Sequence, residues 1–363
     1  MEHADNERAY QLLADIVLDK CIPESQNDGP GKGHIGPLEF NNFSICFGIS
    51  AGKNTEVPGV YVKIPKADLF LKSEKKILPL AEEDRRFGES EYEALVYLAQ
   101  HWTADDLKIK FVKPLDYLSE FNAIVTERAD GGDYFRFLRK ADMLERFAGR
   151  RSGSAATASL FRLGTALARF HKTAEKEESF PCDPVIAKIL LCASRLNSSE
   201  LDSGLLEDTI VAVETFRGSR PLTFMTKTLK GLDVRNILID RSENIFLLDP
   251  GRMKEDCREA DLARFLVTLR ILYWGSLRFF ARLSPRQSYE RSFLGGYYGP
   301  GEMPDQRLLI LLTIKELLKH WHIAHVILQL KPWPALLKNF LKRTYIDPFY
   351  KHQLRIETAR LKH

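Results

Sequence analysis

Two short apolar runs, NILID (236–240) and NIFLLD (244–249), each carry a polar residue at one end: Asn236 enters the first, and Asp249 leaves the second thirteen residues later. Alone, either is a turn residue, because Asn and Asp are common at strand ends. Together they present an amide and a carboxylate at adjacent strand ends, the hard oxygen donors that Mg²⁺ accepts while keeping several waters. Upstream, Lys63 stands in mid-strand in VYVKIP, flanked by apolar residues. Such a lysine usually runs its stem along apolar surface and leaves its ammonium in water. The alternative is that it neutralises a polyphosphate and is aimed by a carboxylate. Glu91 suits that task best, since it precedes Leu95 by four and Leu98 by seven on the inner edge of a helix, while Glu89 and Glu93 stay open as rivals that the periodicity disfavours. A cation on phosphates, a metal held by oxygen and a positioned acceptor are what phosphoryl transfer asks of a protein.

The elements around these residues are legible as patterns. FSICFGIS and GVYVKIP are strand-like runs joined by the polar turn segment AGKNTEVPG. The charged segment SEKKILPLAEEDRRFGESEYEALVYLAQHW ends in the helix that carries Glu91, and FNAIVTERADGGDY is a buried strand running into a Gly-Gly turn. Residues 8–20 have helical spacing, with Tyr10, Leu12, Leu13, Ile16 and Val17 on one side. From about residue 134 the character becomes helical, with Leu160, Leu163, Leu167 and Phe170 forming a buried-helix stripe. A β-rich front of about 130 residues and a helical remainder predict an α+β chain of two lobes, 1–130 and 131–363, dividing at Gly131–Gly132.

Composition narrows the classes. Of 363 residues, 44% are hydrophobic and 28% charged, as in ordinary globular chains. The net charge is +4, and the tail from Lys331 carries eight Lys or Arg against two acids, which leaves the rest slightly acidic. A protein that coats nucleic acid should be basic more generally, so no nucleic-acid partner is expected. Five scattered cysteines without a C-x-x-C pair argue against a disulfide framework or a zinc site, and for a reducing cytoplasm. The charged N-terminus lacks a signal-peptide core, and no run of about eighteen uncharged apolar residues spans a membrane. The histidines show no H-E-x-x-H pattern, and His322 and His325 are expected to pack rather than bind metal.

In order along the chain, VYVKIPK, ESEYEALVYL, AIVTERADGGD, LGTALARFHK, GLDVRNILID, IFLLDPGR and EADLARFL resemble the aminoglycoside phosphotransferase and choline-kinase branch of the protein-kinase-like fold. The resemblance implies a bilobal fold with a small β-rich N-lobe and a larger helical C-lobe, using ATP and Mg²⁺. It implies that Lys63 binds the α/β-phosphates, Glu91 orients it, and Asn236 and Asp249 hold the metal. It further gives Glu127 to Ala129 to adenine through backbone groups, Asp133 to the ribose, and a phosphate-covering loop to Gly31 and Gly33, with Lys32 between.

One departure matters. The family's loop runs His-Gly-Asp-x-x-x-x-Asn, whereas Leu229–Asn236 reads LKGLDVRN, with Gly231 at the base position and Asp233 two residues later. Two extended residues span about 7 Å, so Asp233 serves as base only if the loop is rebuilt, which a glycine allows. Losing general-base help typically costs about 10²–10⁴ in rate, a loss that electrostatic stabilisation can partly outlast. The expectation is therefore an active kinase of a small molecule or glycan, with Asp233 as displaced base. Its rival is a silent, nucleotide-binding pseudokinase, which an Asp233 spent on capping a helix would favour. Transfer of AMP is a weaker third reading. The basic tail is expected to be a docked terminal helix, or else a contact with an anionic membrane surface, in which case an envelope sugar becomes a natural acceptor.

Overall fold

The computed structural model describes residues 2–21, 34–41, 43–50, 59–66, 81–148, 153–196, 203–271, 287–299 and 306–363. They form two compact units: Met1–Gly132 with Leu238–Met253, and Asp133–Ile237 with Lys254–His363.

In the first unit, α1 (Glu2–Cys21) is followed by β1 (His34–Ile35), β2 (Glu39–Phe40), β3 (Ser44–Ser50) and β4 (Val60–Pro65). Then come α2 (Glu82–His101), β5 (Ile109–Phe111), β6 (Pro114–Leu118) and β7 (Ala123–Glu127). The main sheet runs β1-β3-β4-β7-β6, with β2 also on β3, and its described pairings are antiparallel. Strand side chains alternate between faces. Ile45, Phe47, Ile49, Val60, Val62, Ile64, Ala123 and Val125 therefore share one face and pack with the Tyr10–Leu13–Ala14–Val17 stripe of α1. The opposite parity sends Lys63 and Ile124 to the other face, where Ile124 meets Leu95 of α2. Asn122, buried and with a positive φ of 53°, bolts α2 to the sheet. Its amide donates to Pro65 O (2.8 Å) at the end of β4 and to Asp84 O (2.9 Å) in the first turn of α2, while Tyr117 Oη donates to its Oδ1 at 2.9 Å.

The chain leaves this unit within β8 (Gly132–Asp133) and re-enters it within β11 (Ile237–Ile239). The Asp240–Asn244 turn follows, its backbone amides at 242 and 244 both held by the Asp240 carboxylate at 2.8 Å. It delivers β12 (Ile245–Leu247), which pairs in parallel with β5, Ile245 opposite Ile109 and Leu247 opposite Phe111.

The second unit contains α3 (Tyr134–Ala148), α4 (Gly153–Lys172), β9 (Lys176–Ser179), α5 (Asp183–Arg195), α6 (Ser203–Glu214) and β10 (Leu222–Leu229). After β13 (Met253–Cys257), which flanks β10 opposite β9, come α7 (Glu259–Ile271), α8 (Gln287–Tyr298), α9 (Arg307–Leu330), α10 (Ala335–Leu341) and α11 (Asp347–Lys362). Every residue of α7 is buried, so it is the central post of the unit. Helices α4 and α8 cross at backbone contact through two glycines. A Cβ on Gly164 would lie 2.1 Å from Phe293 O, and one on Gly296 would lie 2.0 Å from Phe161 O. His325 is a packing residue: with Trp321 Nε1 (2.8 Å), its Nε2 (2.7 Å) holds the buried Asp347 carboxylate. The end of the basic tail is docked, because α11 buries Phe349, Tyr350, Leu354 and Leu361 and its Thr358 meets Thr209 of α6.

Candidate phosphate and metal site

Parity of β4 turns Lys63 toward α2, and there the carboxylate that reaches it is Glu91. Lys63 Nζ lies 2.5 Å from Glu91 Oε1 and 2.7 Å from Asp249 Oδ2. Glu89 and Glu93 are exposed on the same helix. The lysine side chain is only 17% exposed and that of Glu91 2%, so the pair is largely withdrawn from water. Burial disfavours the ammonium, but Asp249 and Glu91 outweigh it and hold the Lys63 pKa above its usual value. Burial, with the Asp249 charge added, pushes the Glu91 carboxyl up to about 7 against the opposing pull of Lys63. Two carboxylates thus share one ammonium, an arrangement that favours any further positive charge brought to Asp249.

Asp249 is fixed at the exit of β12 by its own turn. Its Oδ1 accepts from Gly251 N at 2.7 Å, and Gly251 has a φ of 60°, a left-handed conformation that glycine adopts without a Cβ penalty. The next residue, Arg252, lays its guanidinium over the Phe87 ring of α2 at 4.4 Å, tying this turn to the helix that carries Glu91.

In the second unit, Leu229–Asn236 is braced by α7. Leu229 N donates to Asp261 Oδ2 (2.7 Å), Leu229 O accepts from Arg264 Nη1 (2.6 Å), and Val234 N donates to Thr268 Oγ1 (3.3 Å). Asp261, Arg264 and Thr268 stand at helical spacings of three and four, so one face of α7 holds the whole loop. His171, at the end of α4, meets Asp261 Oδ2 through Nε2 (3.2 Å) and Tyr297 Oη through Nδ1 (2.6 Å). The stretches LGTALARFHK and EADLARFL carry His171, Asp261 and Arg264, but their pattern assigns no role to these residues, nor to Asn122 and Thr268. Only the buried Asp-x-x-Arg pattern of EADLARFL could have signalled the brace.

Asp233 caps the single 3₁₀ turn Val234–Asn236. Its Oδ1 accepts from Arg235 N and Arg235 Nε, both at 2.9 Å, and its Oδ2 is ion-paired with Arg235 Nη2. Burial works against its charge, yet the Arg235 hydrogen bond and charge prevail and hold the carboxyl below the usual carboxylate range. Asn236 donates its amide nitrogen to Gly231 O at 3.1 Å, which leaves its carbonyl oxygen as the atom suited to a cation. An amide oxygen, like a carboxylate oxygen, is a hard donor of the kind Mg²⁺ accepts while keeping water and substrate phosphate in its shell. Among the described residues no cluster of three or more His, Cys, Asp or Glu could hold a metal by itself.

The remaining sequence candidates are placed as follows. Glu127 closes β7, with its amide given to Lys113 O at 2.9 Å, and Ala129 packs against the Leu95–Val112–Ile124 cluster. Asp133 caps α3, its Oδ1 accepting from Phe135 N (2.8 Å) and Arg136 N (3.3 Å). Gly31, Lys32 and Gly33 lie outside the described residues.

No protein-family model matches the sequence, and no curated protein matches it. Solved structures do. A glucosamine kinase in complex with glucosamine, ADP and inorganic phosphate superposes with a TM-score of 0.55 at 13% identity, over 91% of this chain and 81% of its own. A choline kinase from Cryptosporidium parvum gives 0.53 at 11% identity, over 97% and 95%. A thermostable mutant of an aminoglycoside phosphotransferase gives 0.52 at 11%, over 90% and 95%. This is the protein-kinase-like fold. It is the form found in choline kinases and aminoglycoside phosphotransferases, and its α+β composition is the one expected from the sequence.

Proposed function

We propose that this chain binds Mg·ATP and transfers its γ-phosphoryl group to a hydroxyl of a small molecule. The observation that carries the proposal is the half-buried Lys63, bound at once to Glu91 and Asp249. A buried carboxylate and a lysine largely withdrawn from water bring no advantage to packing alone, since apolar residues of similar volume do as well or better. As a phosphate and metal site the cluster makes sense. Asp249 takes the cation, Glu91 keeps Lys63 aimed, and Lys63 moves its charge to the phosphates. In its own unit the Asn236 amide oxygen is likewise of the type a cation takes, and Glu127, whose amide is already used, offers adenine its carbonyl. Kinases of glucosamine, choline and aminoglycosides on the same fold support a small polar alcohol, a sugar hydroxyl included, as the acceptor. In this reading Asp233, kept ionised by Arg235, orients the acceptor hydroxyl as a weak base while electrostatics lower the barrier.

A second reading has one observation behind it. The Asp233 carboxylate is spent on a cap and an arginine, as it would be in a silent pseudokinase that binds nucleotide without turning it over.

Thermal unfolding with Mg·ATP tests both readings. At a hundred-fold excess over Kd, wild type should gain about 2.7 kcal/mol, a shift of a few degrees, and Asp249→Ala should gain nothing. No shift in wild type would sink every nucleotide-based reading. ATP turnover with amino-sugar and choline-type alcohols then separates the two. Loss of about 10²–10⁴ in rate for Asp233→Asn, with the thermal shift intact, supports the kinase. Nucleotide binding with no turnover, to water or to any alcohol tried, supports the pseudokinase.

A further inference from the structure

The tail of the second unit is docked only in part. Between the end of α9 and the start of α11, five large apolar side chains stand in solvent: Leu330, Trp333, Leu336, Leu337 and Phe340. Leu336 is 84% exposed and Phe340 55%, and at i and i+4 they share one face of α10. Leu337 lies beside them on that face, and Trp333 precedes them on the Pro-flanked elbow that joins α10 to α9. Lone exposed apolar residues need no explanation, but a contiguous group of them does. No buried residue occurs in α10, so this helix does not owe its place to a core.

The charge around this knob has one sign. From Leu317 to Ile346 there is no carboxylate, whereas Lys331, Lys338, Lys342 and Arg343 surround the apolar residues in sequence. On the helix, Lys338 falls on the side opposite Leu336 and Phe340, which makes α10 amphipathic, with a cation on its polar face. Lys338 Nζ also donates to Gln329 O at 2.7 Å, which holds α10 back against the end of α9 and fixes the direction in which the knob projects.

We infer that this knob docks on a lipid bilayer bearing anionic headgroups, with Trp333, Leu336, Leu337 and Phe340 entering the interface and the cations lying at the phosphates. Shallow burial of an apolar face with lysines beside it is how interfacial helices bind, and tryptophan is enriched at that depth. A second copy of the chain fits worse. A two-fold interface would set the same cations against one another, with no carboxylate in the segment to answer them.

Vesicle sedimentation of the full chain tests this, independently of nucleotide or turnover. Wild type should sediment with vesicles of phosphatidylcholine containing about a quarter phosphatidylglycerol, and binding should fall as salt is raised toward ~0.5 M. Leu336→Ser with Phe340→Ser should weaken binding by more than about ten-fold. Lys331→Gln with Arg343→Gln should weaken it by about five-fold for each charge. Since all four positions are exposed or half-buried, unchanged melting of both variants is expected. No binding by wild type would overturn the inference, as would equal binding to pure phosphatidylcholine. So would binding that survives the Leu336→Ser/Phe340→Ser change. A concentration-dependent dimer abolished by Leu336→Ser would assign the knob to a second copy instead.

Discussion

At the scale of single residues, the turn after β12 is the most sensitive point of the site. Gly251 at φ 60° allows its amide to reach Asp249 Oδ1, and a side chain there must bear left-handed backbone. Gly251→Ala should cost about 1–2 kcal/mol, read as a lower urea midpoint, and should weaken Mg·ATP binding to the extent that the strained backbone turns its amide away from Asp249. His320 supplies a pH dependence. Burial, with Lys319 and Arg235 adding to it, lowers its pKa to about 4 despite the opposing charges of Glu316 and Asp233. The folded chain therefore keeps this imidazole neutral while the unfolded chain protonates it near 6.5. Between those values the unfolded state binds more protons, so stability falls as pH drops from about 6.5 toward 4. His320→Gln should remove a part of that loss on the order of 1–3 kcal/mol, measured as the difference between urea midpoints at pH 7 and pH 5.

At the scale of elements, the crossing of α4 and α8 sets a sharp contrast between neighbouring glycines. Gly296→Ala would drive a methyl to within 2.0 Å of Phe161 O and should cost about 1–3 kcal/mol or more by thermal melt. Gly295→Ala meets nothing within 4 Å and should be neutral or slightly stabilising, as alanine is the better helix former. The brace under the Leu229–Asn236 loop is the second element-level test. Asp261→Ala leaves Leu229 N without its acceptor and takes a carboxylate partner from both His171 and Arg264, and should destabilise by about 3–5 kcal/mol. Much of what positions the site was readable in advance. The inner phase of Glu91 follows from Leu95 and Leu98, and the α-helical stripe of Leu160–Phe170 announces α4. The brace was not readable, because Asp261 and His171 find each other only after α4 and α7 pack. Asn122 was not readable either: its role depends on a left-handed turn and on carbonyls from β4 and α2. The cap made by Asp233 could be suspected from an aspartate before a short turn. Its capture by Arg235 depends on side-chain conformation, which spacing does not reveal.

At the scale of the whole molecule, composition separates a β-rich front from a helical remainder, yet it cannot tell that residues 238–253 belong with the front. That membership rests on parallel pairing between β12 and β5, a contact between distant stretches that leaves no local pattern. A fragment ending at Gly132 should therefore lack a stable fold. Without β12, β5 loses its parallel partner, and without Asp249 Lys63 and the buried Glu91 lose a neighbour. Amide exchange should show β3, β4 and β7 protected in the full chain and largely unprotected in the fragment, and equal protection in the two would refute this.

The same discontinuity has a consequence during synthesis. The first 132 residues leave the ribosome well before the stretch that completes their unit, which ends at Met253. At about 5–20 residues per second, those further 121 residues take roughly 6–24 s. For that interval the main sheet is whole in sequence but β5 lacks its partner β12, and the edge of β5 stands open to any passing chain. Such a protein is one whose yield in the cell should depend on chaperones that shield early strands, and on how quickly its middle third is translated.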